Sequence, residues 1–248
     1  MTTTIETPTI RPRDVIASEI TKIITHPATL LAIALAFAAN TLFGIVGASA
    51  VQFGTASGTQ SLAEFPSVMF APIYAFLVLP VYAAASEYQG GQLRMSLTAT
   101  PDRNRLVICK LAALTLVVLP GALLTLIPAR LILGFHDRLT VPELLTDIGR
   151  WTAAYLLMSL VAFGLATVLR SAIAPLSLLG ALAVFVNAGF LPWPEGLRFL
   201  PDQAAMNMLG TPSSEVTVLP PAIGALAVGL WALIAIGGHA IALTRRDS

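Results

Sequence analysis

Long apolar runs alternate with short charged connections along most of the chain. Six of these runs approach the roughly 20 residues that a helix needs to cross a bilayer. They lie at about 28–50, 66–86, 106–131, 151–169, 171–191 and 218–243. They predict an all-α membrane fold with six transmembrane helices. Proline recurs within them: Pro72 and Pro80 in the second run, Pro120 and Pro128 in the third, Pro175 in the fifth, and Pro220-Pro221 at the mouth of the sixth. A proline removes a backbone hydrogen bond and kinks a spanning helix, and neighbouring groups can satisfy the freed carbonyl. Only Arg170 and Ser171 separate the fourth and fifth runs, which predicts a tight antiparallel hairpin.

Ahead of the first run the pattern turns amphipathic. Over 11–25, Ile16, Ile20, Ile23 and Ile24 share one helical face, and Asp14, Ser18, Thr21, Lys22 and Thr25 oppose them. Pro12 suits a first helical turn, and Asp14 complements the helix dipole. Such a helix is too short to span, so it is expected in the headgroup plane. The alternative is a helix that packs on its own chain. His26-Pro27 redirects the backbone. The chain thus divides into a cytosolic N-terminus (1–27), a transmembrane domain (28–243) and a cytosolic tail (244–248).

Between runs, 52–61 reads as a Gly/Ser/Thr-rich turn. The connection 135–150 holds a short helical pattern in Val141, Leu144, Leu145 and Ile148. The connection 192–217 carries Trp193, Leu197, Phe199 and Leu200. It reads either as one or two short helices dipping into the outer leaflet or as a partly ordered surface loop.

Composition agrees with the pattern. Hydrophobic residues make up 56% of the 248, charged residues only 11%, and mean hydropathy is +0.82. A soluble fold could not hide that much apolar surface. The first 27 residues lack the apolar core and cleavage site of a signal peptide. With the N-terminus inside, ten of the 14 Lys and Arg fall on the inner side. The bias toward positive charge inside therefore orients both termini to the cytosol of a multi-pass cytoplasmic (inner) membrane protein. A net charge of +1 gives no reason to expect nucleic acid as a partner.

Reaction chemistry is sparse. His26, His136 and His239 lie far apart with no metal-ligand spacing, and the single Cys109 rules out an intrachain disulfide or a Cys-based zinc cluster. No Walker A, H-E-x-x-H or G-x-S-x-G motif occurs. An embedded enzyme would need paired acids or His/Glu clusters within its spans, and the runs hold none. The chain itself is therefore expected to be neither an enzyme nor a cofactor binder. His239, near the inner end of the last run, reads either as a functional group or as a hydrogen-bonded side chain at headgroup level. Asn40, Tyr74, Tyr82 and Asn187 are candidates to line a substrate path, or ordinary hydrogen-bonders between helices.

The densest charge lies between the second and third runs, in E-Y-Q-G-G-Q-L-R-M-S-L-T-A-T-P-D-R-N-R-L-V-I-C-K from Glu87 to Lys110. Gly90-Gly91 permits a sharp turn, 92–98 can form a short surface helix, and Pro101 ends it. On physical grounds this is a cytosolic element that takes a push from a partner, or a solvated loop with no partner. The stretch resembles the signature of ABC-2 type transporter permeases at Glu87, Gly91, Leu93, Arg94, Leu97, Pro101 and Lys110, with Arg103 and Arg105 near the family's basic position. Gln92 stands where the family usually has Thr. The segment I-A-S-E-I-T-K-I before the first run, L-P-D-Q-A-A-M-N-M-L before the last, and the terminal T-R-R-D are similar to that family too. The resemblance implies a six-span permease that pairs with a second, identical or similar chain. Two cytosolic ABC ATPase subunits, which bind ATP and Mg, would energise it. Coupling would run through Glu87, Gly91, Gln92, Arg94, Pro101, Arg103 and Arg105 and through Glu19 and Lys22 of the N-terminal helix. It further implies export of a hydrophobic or amphipathic cargo: a drug, an antibiotic peptide or a lipid. The alternative is a non-transporting peptide-binding, immunity or sensor subunit of the same architecture.

Overall fold

The computed structural model describes residues 11–55, 58–88, 103–190, 193–214 and 217–245. Within these residues the chain is an all-α membrane protein with one small hairpin. Five stretches are long and apolar enough to cross a bilayer: Pro27–Gly47, Pro66–Ala85, Arg103–His136, Val141–Leu169 and Pro221–Leu243.

Helix α1 (Pro12–Thr25) starts at Pro12, where the missing N–H costs nothing. Its buried residues are Val15, Glu19 and Ile23, while Ile24 is exposed. Ile16 and Ile20 are half-buried beside them, so the inward face holds three of the four expected isoleucines and leaves Ile24 out. The helix turns the Val15 side inward, and Val15 packs with Leu106 and Cys109 of α6 (Arg103–His136). It is docked on its own chain. The driving term is burial of Val15 and Ile23 together with a charge pair described below.

Helix α2 (Pro27–Gly47) buries Thr29, Ala32, Ala36, Asn40, Gly44 and Gly47, a stripe of small or short side chains at helical spacing. Leu30, Leu31, Leu35, Leu42 and Ile45 face outward. Small residues inward and leucines outward suit a helix packed on one side and lipid-facing on the other. The expected turn at 52–61 contains an antiparallel pair instead, β1 (Gln52–Thr55) and β2 (Gly58–Ser61), in the register Gln52↔Ser61 to Thr55↔Gly58.

The second run is broken into α3 (Pro66–Phe70), α4 (Pro72–Phe76) and α5 (Val78–Ala85). Pro72 has no N–H to continue the ladder, and the chain tightens to three-residue bonds there: Ala71 N donates to Val68 O and Tyr74 N to Ala71 O, each at 3.1 Å. A turn at Ser86–Tyr88 follows. By contrast α6 is assigned as one helix of 34 residues through Pro120 and Pro128.

At 1.5 Å per residue α6 is about 51 Å long, well beyond a hydrocarbon core of about 30 Å. Helix α7 (Val141–Leu169) has 29 residues. The stretch 135–150, expected as an outer connection, is mostly the continuation of these two helices. Its apolar pattern stays in phase with the span: Leu144 and Ile148 are half-buried, and Trp151 and Tyr155 are buried on the same face. Thr140 and Glu143 fix the start of α7, because the Thr140 N–H and hydroxyl both donate to the Glu143 carboxylate, at 2.8 and 2.7 Å.

Arg170 adopts φ 49° and turns the chain into α8 (Ile173–Asn187), whose first N–H groups donate to the Ser171 hydroxyl at 3.2 Å. At 15 residues α8 is shorter than the expected 171–191 run. Gly189, at φ +71°, closes it. Short helices α9 (Pro194–Leu197) and α10 (Pro201–Leu209) precede α11 (Pro221–Arg245). The connection 192–217 therefore holds two short helices, and α10 buries all but Leu209. The main core joins α2, α3–α5, α6, α7 and α10 around Phe70, Phe76, Leu114, Leu126, Tyr155 and Met206. Helix α11 closes on α7 at Gly164, where a Cβ would meet the Ala235 carbonyl at 2.4 Å.

Candidate functional site

One joint is built from α1 and the start of α6. Glu19 points from the buried side of α1 to Lys110, with Nζ 2.9 Å from Oε2. Both are nearly sealed, Glu19 6% and Lys110 4% exposed. Lys22, one turn along α1 and half-exposed, donates to Oε1 of the same carboxylate at 2.6 Å. Burial alone would raise the Glu19 carboxyl, but Lys110 and Lys22 outweigh it and hold the group below the ordinary carboxylate range. A buried charge stripped of its partner is costly, so this pair pins α1 to α6.

The same end of the molecule gathers other ties. Arg103 Nη1 donates to the Leu243 carbonyl at 3.1 Å, linking the first turn of α6 to the last turns of α11. Val107 and Leu243 are buried together. The Arg170 guanidinium lies 5.5 Å over the Tyr88 ring. The His26 ring packs 5.2 Å from that of Tyr82, and its Nδ1 accepts from Ala28 N. A small crevice lined by Glu19, Lys22, His26, Thr29, Tyr82 and Ser86 opens there.

Of the residues expected to couple to an ATPase, the structure therefore brings Glu19 and Lys22 together and sets Arg103 at the same end of α6. Glu19 is an internal tie, whereas Lys22 and the flanking Arg13 and Asp14 remain at the surface. Glu87 falls in the Ser86–Tyr88 turn. Gly91, Gln92, Arg94 and Pro101 lie outside the described residues. Arg105 is half-buried near the start of α6.

Among the described residues the four path candidates stand in four different places. Asn40 is 5% exposed, and its amide donates to Ala36 O at 2.9 Å and to the Tyr155 hydroxyl at 3.0 Å. It therefore ties α2 to α7. Tyr74 meets Phe70 edge-on inside the core. Tyr82 belongs to the crevice beside Glu19 and Lys22. Asn187 closes α8 and bonds Ser67 at the start of α3.

Several residues are central, among them Tyr155, Arg130 and Asp147, which sequence reasoning did not single out. Tyr155 is fully buried, stacked 5.1 Å from Phe76, and it is the partner of Asn40. His239 is 2% exposed, with Nδ1 2.9 Å from the Thr167 hydroxyl and its ring 4.8 Å from Phe163. It joins α11 to α7. At the far end, Arg130 of α6 makes a two-point contact with Asp147 of α7, at 2.6 and 3.2 Å, and stands 4.7 Å over Trp151. A cavity of about 130 Å³ opens beside them, with Asp137, Met69 and Thr211 also on its wall.

Helix α10 carries a buried polar network. Asn207 donates to the Gln203 and Thr217 carbonyls at 2.9 and 2.8 Å, and its oxygen accepts from Leu219 N at 2.7 Å. Gln203 donates to Asp202 at 3.1 Å and accepts from Ser213. Burial pushes the Asp202 carboxyl up. The network holds Ser213, Thr217 and Leu219 against α10. No group of His, Cys, Asp and Glu that could hold a metal ion occurs among the described residues. The sequence matches no family model, and it matches no curated protein.

Proposed function

We propose that this chain is the membrane subunit of an ATP-driven exporter. In this reading separate cytosolic ATPase subunits energise it, and it moves a hydrophobic or amphipathic cargo out across the cytoplasmic membrane. The observation that carries the reading is the sealed Glu19–Lys110 pair. It makes α1 and the beginning of α6 one mechanical body, with the charged 87–110 stretch entering that body at Lys110. A push on the connection, or on the exposed Arg13, Asp14 and Lys22 side of α1, would be passed to α6. From there Arg103 would pass it to the end of α11.

In this reading both termini are cytosolic, the permease works as a pair of identical or similar chains, and α8 is the fifth of six crossings. Support for that crossing comes from its ends. Arg170 before α8 sits at Tyr88, just after α5, and Asn187 at its end sits at Ser67, the second residue of α3. So the two ends of α8 lie near the two ends of the 66–88 stretch. The nearly uncharged interior favours an apolar or amphipathic cargo over an ion.

The test is reconstitution of the purified chain with the ATPase that accompanies it in native membranes. Glu87→Lys should leave the chain in the membrane and ATP hydrolysis intact while export stops. Normal export by that variant would remove the coupling role, and a native-membrane isolation with no nucleotide-hydrolysing partner would remove the exporter reading. The cavity beside Arg130 and Asp147, walled also by Leu209 and Thr211 at the end of α10, gives one specific reason to keep the non-transporting, peptide-binding alternative. Cargo that binds in vesicles but never moves would favour it.

A further inference from the structure

An apolar cavity of about 420 Å³ opens between α9 and the N-terminal half of α11. Trp193, Phe199, Leu200, Leu230, Trp231 and Ile234 form its walls, and no charged side chain lines it. The Trp231 indole N–H donates to the Phe199 carbonyl at 2.7 Å, so its one polar atom is already satisfied and the ring serves as hydrocarbon wall. Trp193 folds back over Gly196. A Cβ there would lie 2.4 Å from the indole carbons, so glycine is what lets the ring close that end. The walls are open to the surroundings: Trp193 is 68% exposed and Leu230 58%.

The charges at this place are Arg198 and, three residues before it, the exposed Glu195. The Arg198 guanidinium stands 5.3 Å over the Phe199 ring, and its Nε donates to the Glu195 carbonyl at 3.1 Å. Among the described residues Arg198 makes no ion pair with a carboxylate. Helix α11 is long and apolar enough to cross a bilayer, so Leu230, Trp231 and Ile234 stand at hydrocarbon depth. Trp193, Phe199 and Arg198 then lie where aromatic rings and long cationic side chains meet the headgroups.

We propose that this groove holds an acyl chain of an anionic phospholipid whose phosphate is bound by Arg198. Among the lining residues only the Trp193 indole N–H could hydrogen-bond a ligand, too little for a peptide backbone, which could not leave its polar groups unsatisfied there. An alkyl chain needs no such partner, and a single rim cation complements a headgroup of net negative charge. The site is independent of whether the chain exports anything.

The experiment uses the full chain in phosphatidylcholine vesicles that contain a small fraction of lipid brominated on its acyl chains. Bromine quenches tryptophan on contact. Trp151 is buried beneath Arg130, so Trp193 and Trp231 report on the groove, and Trp193→Phe isolates Trp231 from Trp193. Brominated phosphatidylglycerol should quench Trp231 at about fivefold lower mole fraction than brominated phosphatidylcholine, the factor one cation near the surface contributes. Arg198→Gln should abolish that preference without moving the thermal unfolding midpoint. Equal quenching by the two lipids, or a preference that survives Arg198→Gln, would overturn the site and leave ordinary bilayer contact. Absence of quenching by either, with cross-links between copies at this face, would put a second copy in the groove and overturn it too.

Discussion

At the scale of single residues, two buried polar contacts carry most of what is distinctive. Lys110→Met leaves the Glu19 carboxylate in a sealed site with only the half-exposed Lys22, and stability should drop by about 3–5 kcal/mol. Denaturant unfolding in detergent measures it, and a loss below about 1 kcal/mol, the scale of a surface pair, would mean the joint is wetter than its burial indicates. The same carboxylate sets a pH dependence. Its folded value is depressed below the ordinary 4.5, so its stabilisation is complete above that value and drains away as pH falls through the lower, folded one. Melting temperature should therefore fall in acid below about pH 4.5, and Glu19→Gln should flatten that fall. Tyr155→Phe removes the hydroxyl that Asn40 bonds and should cost about 0.6–1.7 kcal/mol, the range for hydrogen bonds between membrane helices. Neither pairing was legible in the sequence. Glu19 stood out only as a coupling residue that the resemblance implied, and only the fold brings Lys110 to it. Asn40 was visible as an isolated amide in an apolar run, but the run gave no sign of which helix would answer it.

At the scale of elements, close approach decides the packing. Gly164 faces the Ala235 carbonyl with no room for a methyl group, and backbone cannot swing aside as a side chain can. Gly164→Val should separate α7 from α11 and cost about 1–3 kcal/mol or more. The readout is the melting temperature together with the yield of monodisperse protein, and a melting temperature like that of the parent would show that the two helices can slide apart freely. The apolar runs revealed where the long helices are, because membrane length and composition are read directly from residue order. They misjudged the ends. Asp137, Arg138, Asp147 and Arg150 interrupt the apolar pattern, so 135–150 looked like an outer connection with a short helix of its own. The surer signal was the phase of Leu144, Ile148, Trp151 and Tyr155, which keeps one helix face continuous across those charges. Likewise 171–191 looked long enough to span, whereas Gly189 at positive φ ends α8 early.

At the scale of the whole molecule, the proposed sidedness can be checked with cysteine chemistry. Cys109 is buried, so background labelling should be low. Thr146→Cys on α7 should react with a membrane-impermeant thiol reagent added to intact cells, and Thr21→Cys on α1 only after the membrane is opened. The reverse result would invert the orientation and with it any cytosolic role for α1. The tie between α1 and α6 also bears on how the chain is made. Residues 19 and 110 are 91 positions apart, which at 5–20 residues per second is a delay of about 5–18 s during synthesis. Throughout that interval the nascent N-terminal helix carries a carboxylate whose buried counter-ion has yet to be translated. Its docking must therefore wait for the third apolar segment, so a ribosome stalled before Lys110 would display α1 undocked.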